Sequence, residues 1–243
     1  MMSDPEREVV VPPIGPWQFA TVTDIRPETP RTKTYALSLT EPAPHVAGQH
    51  FVVRLSAPDG YRAQRSYSVG SPPGDGRSIE LTVERLPDGE VSTFLHDELR
   101  VGDALEVRGP IGGWFVWDGT NPALLIGGGS GIVPLMAMLR LARRTGARAP
   151  AHLIVSVRDP DALIFASELV AEDVTVVYTR SAPPAYTRPA GRIVADDIRP
   201  HVREGATVFV CGSGGFAEAA STGAMEAGVD ATAIRVERFG PTG

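Results

Sequence analysis

With 243 residues the chain is long enough to bury one generous core or two smaller ones, and 42% hydrophobic with 21% charged content leaves no room for extensive disorder. A formal net charge of −6 argues against a nucleic-acid binder, which needs a basic surface to neutralise phosphates. The longest apolar runs, at 122–126 and 153–157, fall far short of the roughly 20 residues of a membrane span, and the single cysteine, Cys211, excludes an intrachain disulfide framework and any four-cysteine iron–sulfur or zinc site.

Residues 1–16 mix charges of both signs with prolines and contain no apolar segment leading to a cleavage site. They read as a flexible leader on a cytoplasmic protein rather than a secretion signal. From Trp17 to about residue 118 the chain runs in short alternating segments: WQFATVTDI, TKTYALSL, QHFVVRLS, RSYSVG, SIELTVER and ALEVRGP. Turns such as APDG and SPPGDG separate them, at the spacing of an antiparallel sandwich or small barrel. The apolar spacing of Val91, Phe94, Leu95 and Leu99 predicts one short helix among these strands.

In RSYS, strand periodicity puts Arg65 and Tyr67 on one face and Ser66 and Ser68 on the other. One reading is an edge strand with a solvated Arg. The other is a strand that meets a flat, phosphorylated cofactor, ring on ring and guanidinium on phosphate.

From residue 119 to 243 apolar strands alternate with helical patterns: ALLIGGG, GIVPLMAMLRLARR, AHLIVSV, DALIFASELV, VTVVYT, ATVFVCG, FAEAASTGAMEAG and ATAIRVERF. That alternation predicts a parallel sheet flanked by helices, in a doubly wound nucleotide-binding layout. SAPPAYTRPAG, 181–191, reads as a surface loop. The first strand runs into Gly127, Gly128, Gly129, Ser130 and Gly131 before an apolar helix. Glycines there let the backbone approach a pyrophosphate, and the helix start offers unpaired N–H groups to hold it. A second strand end carries Cys211, Gly212, Ser213, Gly214 and Gly215, and both turns would face one crevice at the carboxyl ends of the strands. The five histidines, at 45, 50, 96, 152 and 201, show no metal-ligand spacing.

The ordered combination of an R-x-Y-S strand, a G-G-G-S-G-I turn and a C-G-S-G turn, over nearly the whole chain, resembles the ferredoxin–NADP reductase superfamily. Its closest likeness is to compact flavin reductases without an attached iron–sulfur domain. The resemblance implies a two-domain protein, an antiparallel β-barrel flavin domain at 17–118 followed by an α/β parallel-sheet NAD(P)-binding domain at 119–243. It implies that Tyr67 lies against the isoalloxazine, that Arg65 pairs with the pyrophosphate and that Ser68 reaches the flavin near N5. Gly89, Val91 and Ser92 match the family's second phosphate loop, which favours FAD because FMN lacks the second phosphate; an ordinary helix cap by Ser92 is the other reading of that segment. Gly128, Gly129, Ser130, Gly131, Gly212 and Ser213 would hold the pyridine nucleotide.

Near the nicotinamide, the resemblance implies Cys211 with Glu237 as a polar partner and Phe239 as the ring over the second flavin face. Glu237 equally fits an outward strand residue, and Phe239 a core Phe beside a tail. Arg158, Arg180 and Arg192 follow successive strand ends and match arginines of NADP-dependent relatives, so NADPH is expected over NADH. The implied reaction is hydride transfer from NADPH to FAD, then release of electrons to a separate acceptor such as a ferredoxin-like carrier. Alternatives are an NADH-dependent reductase component for an oxygenase or molybdenum enzyme, and a flavin-binding redox sensor without a dedicated acceptor.

Overall fold

The computed structural model describes residues 9–146 and 150–240; residues 1–8 of the expected leader, and 241–243 of the terminal GPTG, lie outside the described residues. Two units are present. The first spans Val9–Trp117 and the second begins at Asp118. Residues 9–16 have no regular structure, and the Gly15 carbonyl accepts a bond from Arg108 Nε at 3.3 Å.

The first unit contains β1 (Gln18–Thr29), β2 (Thr32–Leu39), β3 (His50–Ser56), β4 (Arg62–Ser68), β5 (Ser78–Glu84), α1 (Glu90–Asp97) and β6 (Ala104–Ile111). All strand pairs are antiparallel, in the order β4-β3-β6-β1-β2-β5. The two outermost strands meet just past β4, where Val69 bridges Leu81 and the Gly70 amide donates to Glu80 O at 2.8 Å. That closure makes the sheet a barrel and removes its open edge. Alternate residues of each strand point inward, which gathers Tyr35, Leu37, Phe51, Val53, Ile79, Leu81 and Val107 into one core with Val91 and Leu95 of α1. Tyr35 O–H donates to Leu95 O at 2.7 Å and seats the helix on that core.

The second unit contains β7 (Ala123–Gly128), α2 (Ile132–Thr145), β8 (Ala151–Val157), β9 (Val174–Tyr178), α3 (Ala195–Ile198), β10 (Thr207–Gly212), α4 (Gly214–Glu226) and β11 (Ile234–Arg238). Every pair is parallel, in the order β11-β10-β7-β8-β9. The chain winds outward from β7 through β8 to β9 and then returns to β10 on the other side of β7. The topological switch point therefore lies between β7 and β10, the two strands that end in glycine turns. An antiparallel barrel followed by a parallel α/β sheet is the fold class expected from the two sequence rhythms. No helix among the described residues is long and apolar enough to cross a membrane.

One expected element is absent. Residues 161–170, DALIFASELV, form two 3-10 turns, Pro160–Ala162 and Ala166–Glu168, instead of a helix. The Asp159 carboxylate accepts from the Ala162 amide at 3.1 Å and caps the first turn, while Phe165 at φ 59° breaks any propagation into the second. Ile164 and Phe165 are buried in this loop, and the Arg140 guanidinium of α2 lies 4.7 Å from the Phe165 ring.

Candidate functional site

Each unit carries its own set of candidate groups. In the first, β4 alternates so that Arg65 and Tyr67 share a face. Tyr67 is half-buried against the barrel core, and burial pushes its phenol up against the opposing pull of the nearby Arg65 guanidinium. Arg65 itself is exposed, its NH1 resting on the Gln64 carbonyl at 2.7 Å. On the other face Ser68 is 5% exposed, and its Oγ is buried with no hydrogen-bond partner. Leaving a hydroxyl desolvated and unpaired costs about 1–3 kcal/mol, so the position fits an acceptor brought by a bound group.

His50 faces Ser68 directly across the β3–β4 pair, and burial lowers its imidazole pKa. No spacing rule marks His50, because its neighbour is set by strand register rather than by sequence distance. Tyr61 is likewise unmarked, yet its O–H donates to Glu90 Oε2 at 3.0 Å and ties the start of β4 to the first turn of α1.

At that turn Gly89 is the N-cap and has no side-chain cap. A Cβ on Gly89 would sit 2.3 Å from Ser92 Oγ, so a larger residue there would displace the Ser92 hydroxyl. Ser92 Oγ donates to Gly89 O at 3.0 Å and accepts from the Leu86 amide at 3.2 Å, which fixes the loop rather than capping the helix. The Val91 side chain belongs to the core. What Val91 and Ser92 offer a ligand is therefore main chain: with Glu90 they carry the first helical amides, which have no intrahelical acceptor.

In the second unit the glycines divide into two groups. A Cβ on Gly127 would meet Leu135 at 3.0 Å, on Gly128 the Phe216 ring at 2.7 Å, on Gly131 the Cys211 carbonyl oxygen at 2.3 Å, and on Gly212 the Phe216 ring at 2.6 Å. These four are glycine because other groups occupy the space, and through Gly131 the two turns touch. Gly129, at φ +56°, and Gly214 and Gly215 face open space. Ser130 is half-buried within the 3-10 turn Gly129–Gly131, whose Gly129 and Ser130 carbonyls already accept from the Ile132 amide at the start of α2, whereas the exposed Ser213 begins α4 without a side-chain cap and leaves the first α4 amides open. Phe216, in the first turn of α4, is the floor between the two turns. Sequence reading passed over it because an aromatic in a helical pattern reads as ordinary core.

Cys211 and Glu237 are register partners across β10 and β11. Burial, and then the Glu237 charge, push the Cys211 thiol well up, so it is a neutral wall and not a nucleophile. Burial raises Glu237 to about 7, and its Oε2 has no hydrogen-bond partner. The Phe239 amide donates to Gly212 O at 2.9 Å and holds that residue, half-buried, just past β11.

The three arginines gather along one edge. The Arg180 and Ser181 amides donate to Arg158 O at 3.0 and 3.1 Å, and the Gly191 amide donates to Tyr178 O at 2.9 Å, which brings Arg192 back beside the end of β9. Arg158, Arg180 and Arg192 are exposed, and none has an ion pair among the described residues.

Comparison with known proteins follows the same division. The oxidoreductase FAD-binding domain family matches residues 20–116, and the oxidoreductase NAD-binding domain family matches residues 125–222. The chain is 41% identical over 123 residues to the glycine betaine monooxygenase reductase subunit of Chromohalobacter salexigens, covering 50% of this chain and 33% of that protein. It is 31% identical over 200 residues to the NADH oxidoreductase HCR of Escherichia coli, covering 81% of this chain and 60% of that protein. The chain thus spans about a third of the length of the first of these relatives. Among solved structures, the cytochrome P450 reductase GcoB of Amycolatopsis superposes with a TM-score of 0.78 at 26% identity, over 96% of this chain and 72% of that one. Phthalate dioxygenase reductase shares the fold, with a TM-score of 0.74 at 21% identity, over 93% of this chain and 69% of that one. The tandem FAD-binding and NAD-binding domains place the chain in the ferredoxin–NADP reductase superfamily.

Proposed function

We propose that the chain is a flavoprotein reductase that draws electrons from NADPH through FAD and delivers them to a separate acceptor protein such as a ferredoxin-like carrier. Bound flavin supplies the redox chemistry, accepting a hydride from the nicotinamide and releasing electrons onward. The residues of the chain bind and orient. Arg65 and the open amides at the start of α1 take the flavin diphosphate, Tyr67 packs on the isoalloxazine, and Ser68 donates its hydroxyl to the ring. The main chain of the Gly128–Gly131 turn and the first amides of α4, approached past Gly129, Gly214 and Gly215, take the pyridine-nucleotide diphosphate. Cys211, Glu237 and Phe239 would shape the part of the second unit that takes the nicotinamide. Arg158, Arg180 and Arg192 take the 2′-phosphate.

The observation that carries this reading is Ser68, a buried hydroxyl with no partner on the strand that presents Tyr67 and Arg65. A second reading is an NADH-dependent reductase component of an oxygenase: the oxygenase part draws on the names of the methane monooxygenase component C of Methylosinus trichosporium and the toluate 1,2-dioxygenase electron transfer component of Pseudomonas putida, and the coenzyme on that of the NADH oxidoreductase HCR of Escherichia coli. Chromatography of the flavin released on denaturation, with anaerobic reduction by NADPH and NADH side by side, tests both. FAD release and a higher kcat/KM for NADPH support the proposal. FMN alone would remove the role of the α1 amides, and preference for NADH would install the second reading.

A further inference from the structure

A fourth arginine lies among the three unpaired ones and differs from them in kind. Arg188 sits in the segment between β9 and α3, and its guanidinium is fully engaged by the protein. Nε and NH2 hold the Asp197 carboxylate in a fork at 2.6 and 2.7 Å, NH1 donates to Pro189 O at 2.9 Å and Gly191 O at 3.3 Å, and NH2 donates to Arg192 O at 2.9 Å. The pair is largely shielded, with side chains 24% and 11% exposed. No donor is left to meet a ligand.

What these bonds hold is the backbone that bears Arg192. Two carbonyls of the Gly191–Arg192 dipeptide accept from Arg188, and the Gly191 amide donates to Tyr178 O, two residues before Arg180. Asp197 also accepts from the Val194 amide at 2.9 Å, which fastens the same turn to α3. Further back, Tyr186 donates its O–H to Val176 O and stands edge-on to Tyr178 with ring centroids 5.0 Å apart. The segment that reads as a plain surface loop is thus tied at both ends of its Arg188 turn. A guanidinium carried on a fixed backbone loses little freedom when it meets an anion, whereas one on a loose loop must be ordered first.

We propose that Arg188 is a positioning residue for coenzyme choice: clamped on Asp197, it holds Arg192 beside Arg180 so that the two act together on the 2′-phosphate of NADPH. The inference rests on the NADPH reading above. It is tested by measuring kcat/KM for NADPH and NADH, and the Kd of 2′,5′-ADP, in the FAD-loaded wild type, Arg188→Ala, Arg192→Ala and the double variant. Arg188→Gln carries the same comparison at a side chain of similar length should the alanine variant not fold.

The expected result is a fall of about tenfold in the NADPH-to-NADH ratio for Arg188→Ala, carried by KM for NADPH and by weaker 2′,5′-ADP binding. NADH kinetics stay within about twofold and flavin content is unchanged, and the double variant falls no further than Arg192→Ala. A wild type that prefers NADPH together with an Arg188→Ala ratio that does not move overturns the clamp and leaves the coenzyme reading standing. Additive losses in the double variant also overturn it, since they would mean that Arg188 meets the phosphate itself. A wild-type preference for NADH overturns the coenzyme reading, and the clamp's selectivity role with it.

Discussion

Cys211 and Glu237 stand opposite each other across the parallel β10–β11 pair, and burial holds both toward their neutral forms. The carboxyl, lifted by burial to about 7, therefore exchanges its proton near neutrality. A folded-state pKa raised above the unfolded value favours the folded state below the unfolded pKa of about 4.3, and that advantage is lost as pH rises through about 7. Above that range the buried charge costs about 3–4 kcal/mol. Glu237→Gln should therefore be more stable than the wild type at pH 8 by this order, with a much smaller difference at pH 5. Urea titrations at the two pH values decide it, and parallel stability profiles would show that Glu237 is solvated.

Ser68 offers a cleaner separation of binding from folding. Its hydroxyl has no partner in the protein, so removing it relieves a desolvated group. Apo Ser68→Ala should melt no lower than apo wild type, whereas flavin reduction by nicotinamide should slow by about tenfold, the worth of one hydrogen bond to the reacting ring. Stopped-flow reduction and thermal unfolding read the two arms. A variant that loses stability but reduces its flavin at the wild-type rate would make Ser68 a structural residue.

How much of this was legible beforehand follows the range of the interactions. β7 reads ALLIGG, an apolar run into glycines, and its place in a parallel sheet follows from composition and local punctuation alone. RSYS displays its two faces through strand periodicity, so Arg65, Tyr67 and Ser68 could be named from the sequence. What stayed hidden depends on contacts across long separations. Ser68 meets His50 only through strand register, Phe216 explains Gly128 and Gly212 only once α4 is folded back, and Arg188 looks like any loop arginine until Asp197 is seen. The 161–170 segment misled because its apolar residues read as part of a helix, while the left-handed Phe165 interrupts any helix there.

The two classes of glycine should separate by mutation. At Gly131 an added Cβ lands 2.3 Å from the Cys211 carbonyl oxygen, a backbone atom that cannot swing away. Gly131→Ala should lose about 3 kcal/mol or more, or fail to fold. Gly129 has φ +56° and open space around the missing Cβ, and asparagine tolerates that conformation, so Gly129→Asn should cost only about 1 kcal/mol. Its side chain would project into the crevice, and NADP+ binding should weaken. Urea unfolding with NADP+ titration compares them, and equal destabilisation by the two substitutions would refute the division.

Acid should act on the second unit through a pair of histidines far from any proposed ligand. His152 and His201 stack with centroids 3.6 Å apart and planes 9° from parallel, and both Nε2 atoms lie on Thr175 Oγ1, at 2.9 and 3.2 Å. The hydroxyl can donate to one ring and accept from the other only while at least one ring keeps an unprotonated Nε2, and the arrangement is lost when both are charged. Burial, His201 and Arg203 lower His152 to about 4 against the opposing pull of Asp173, and burial and Arg203 lower His201. A base held below its unfolded pKa of about 6.5 contributes its stability above that value and loses it as pH falls toward 4. This slope is opposite in sign to that of Glu237, so the two are told apart by variants rather than by the wild-type curve. His152→Phe keeps a ring in the stack without a titrating nitrogen. It should flatten the fall in unfolding free energy between pH 6.5 and 4 relative to wild type, at some loss of stability at pH 7 from the freed Thr175 hydroxyl. If the acid slope of His152→Phe matches that of the wild type, protonation of the stack is not what weakens the fold.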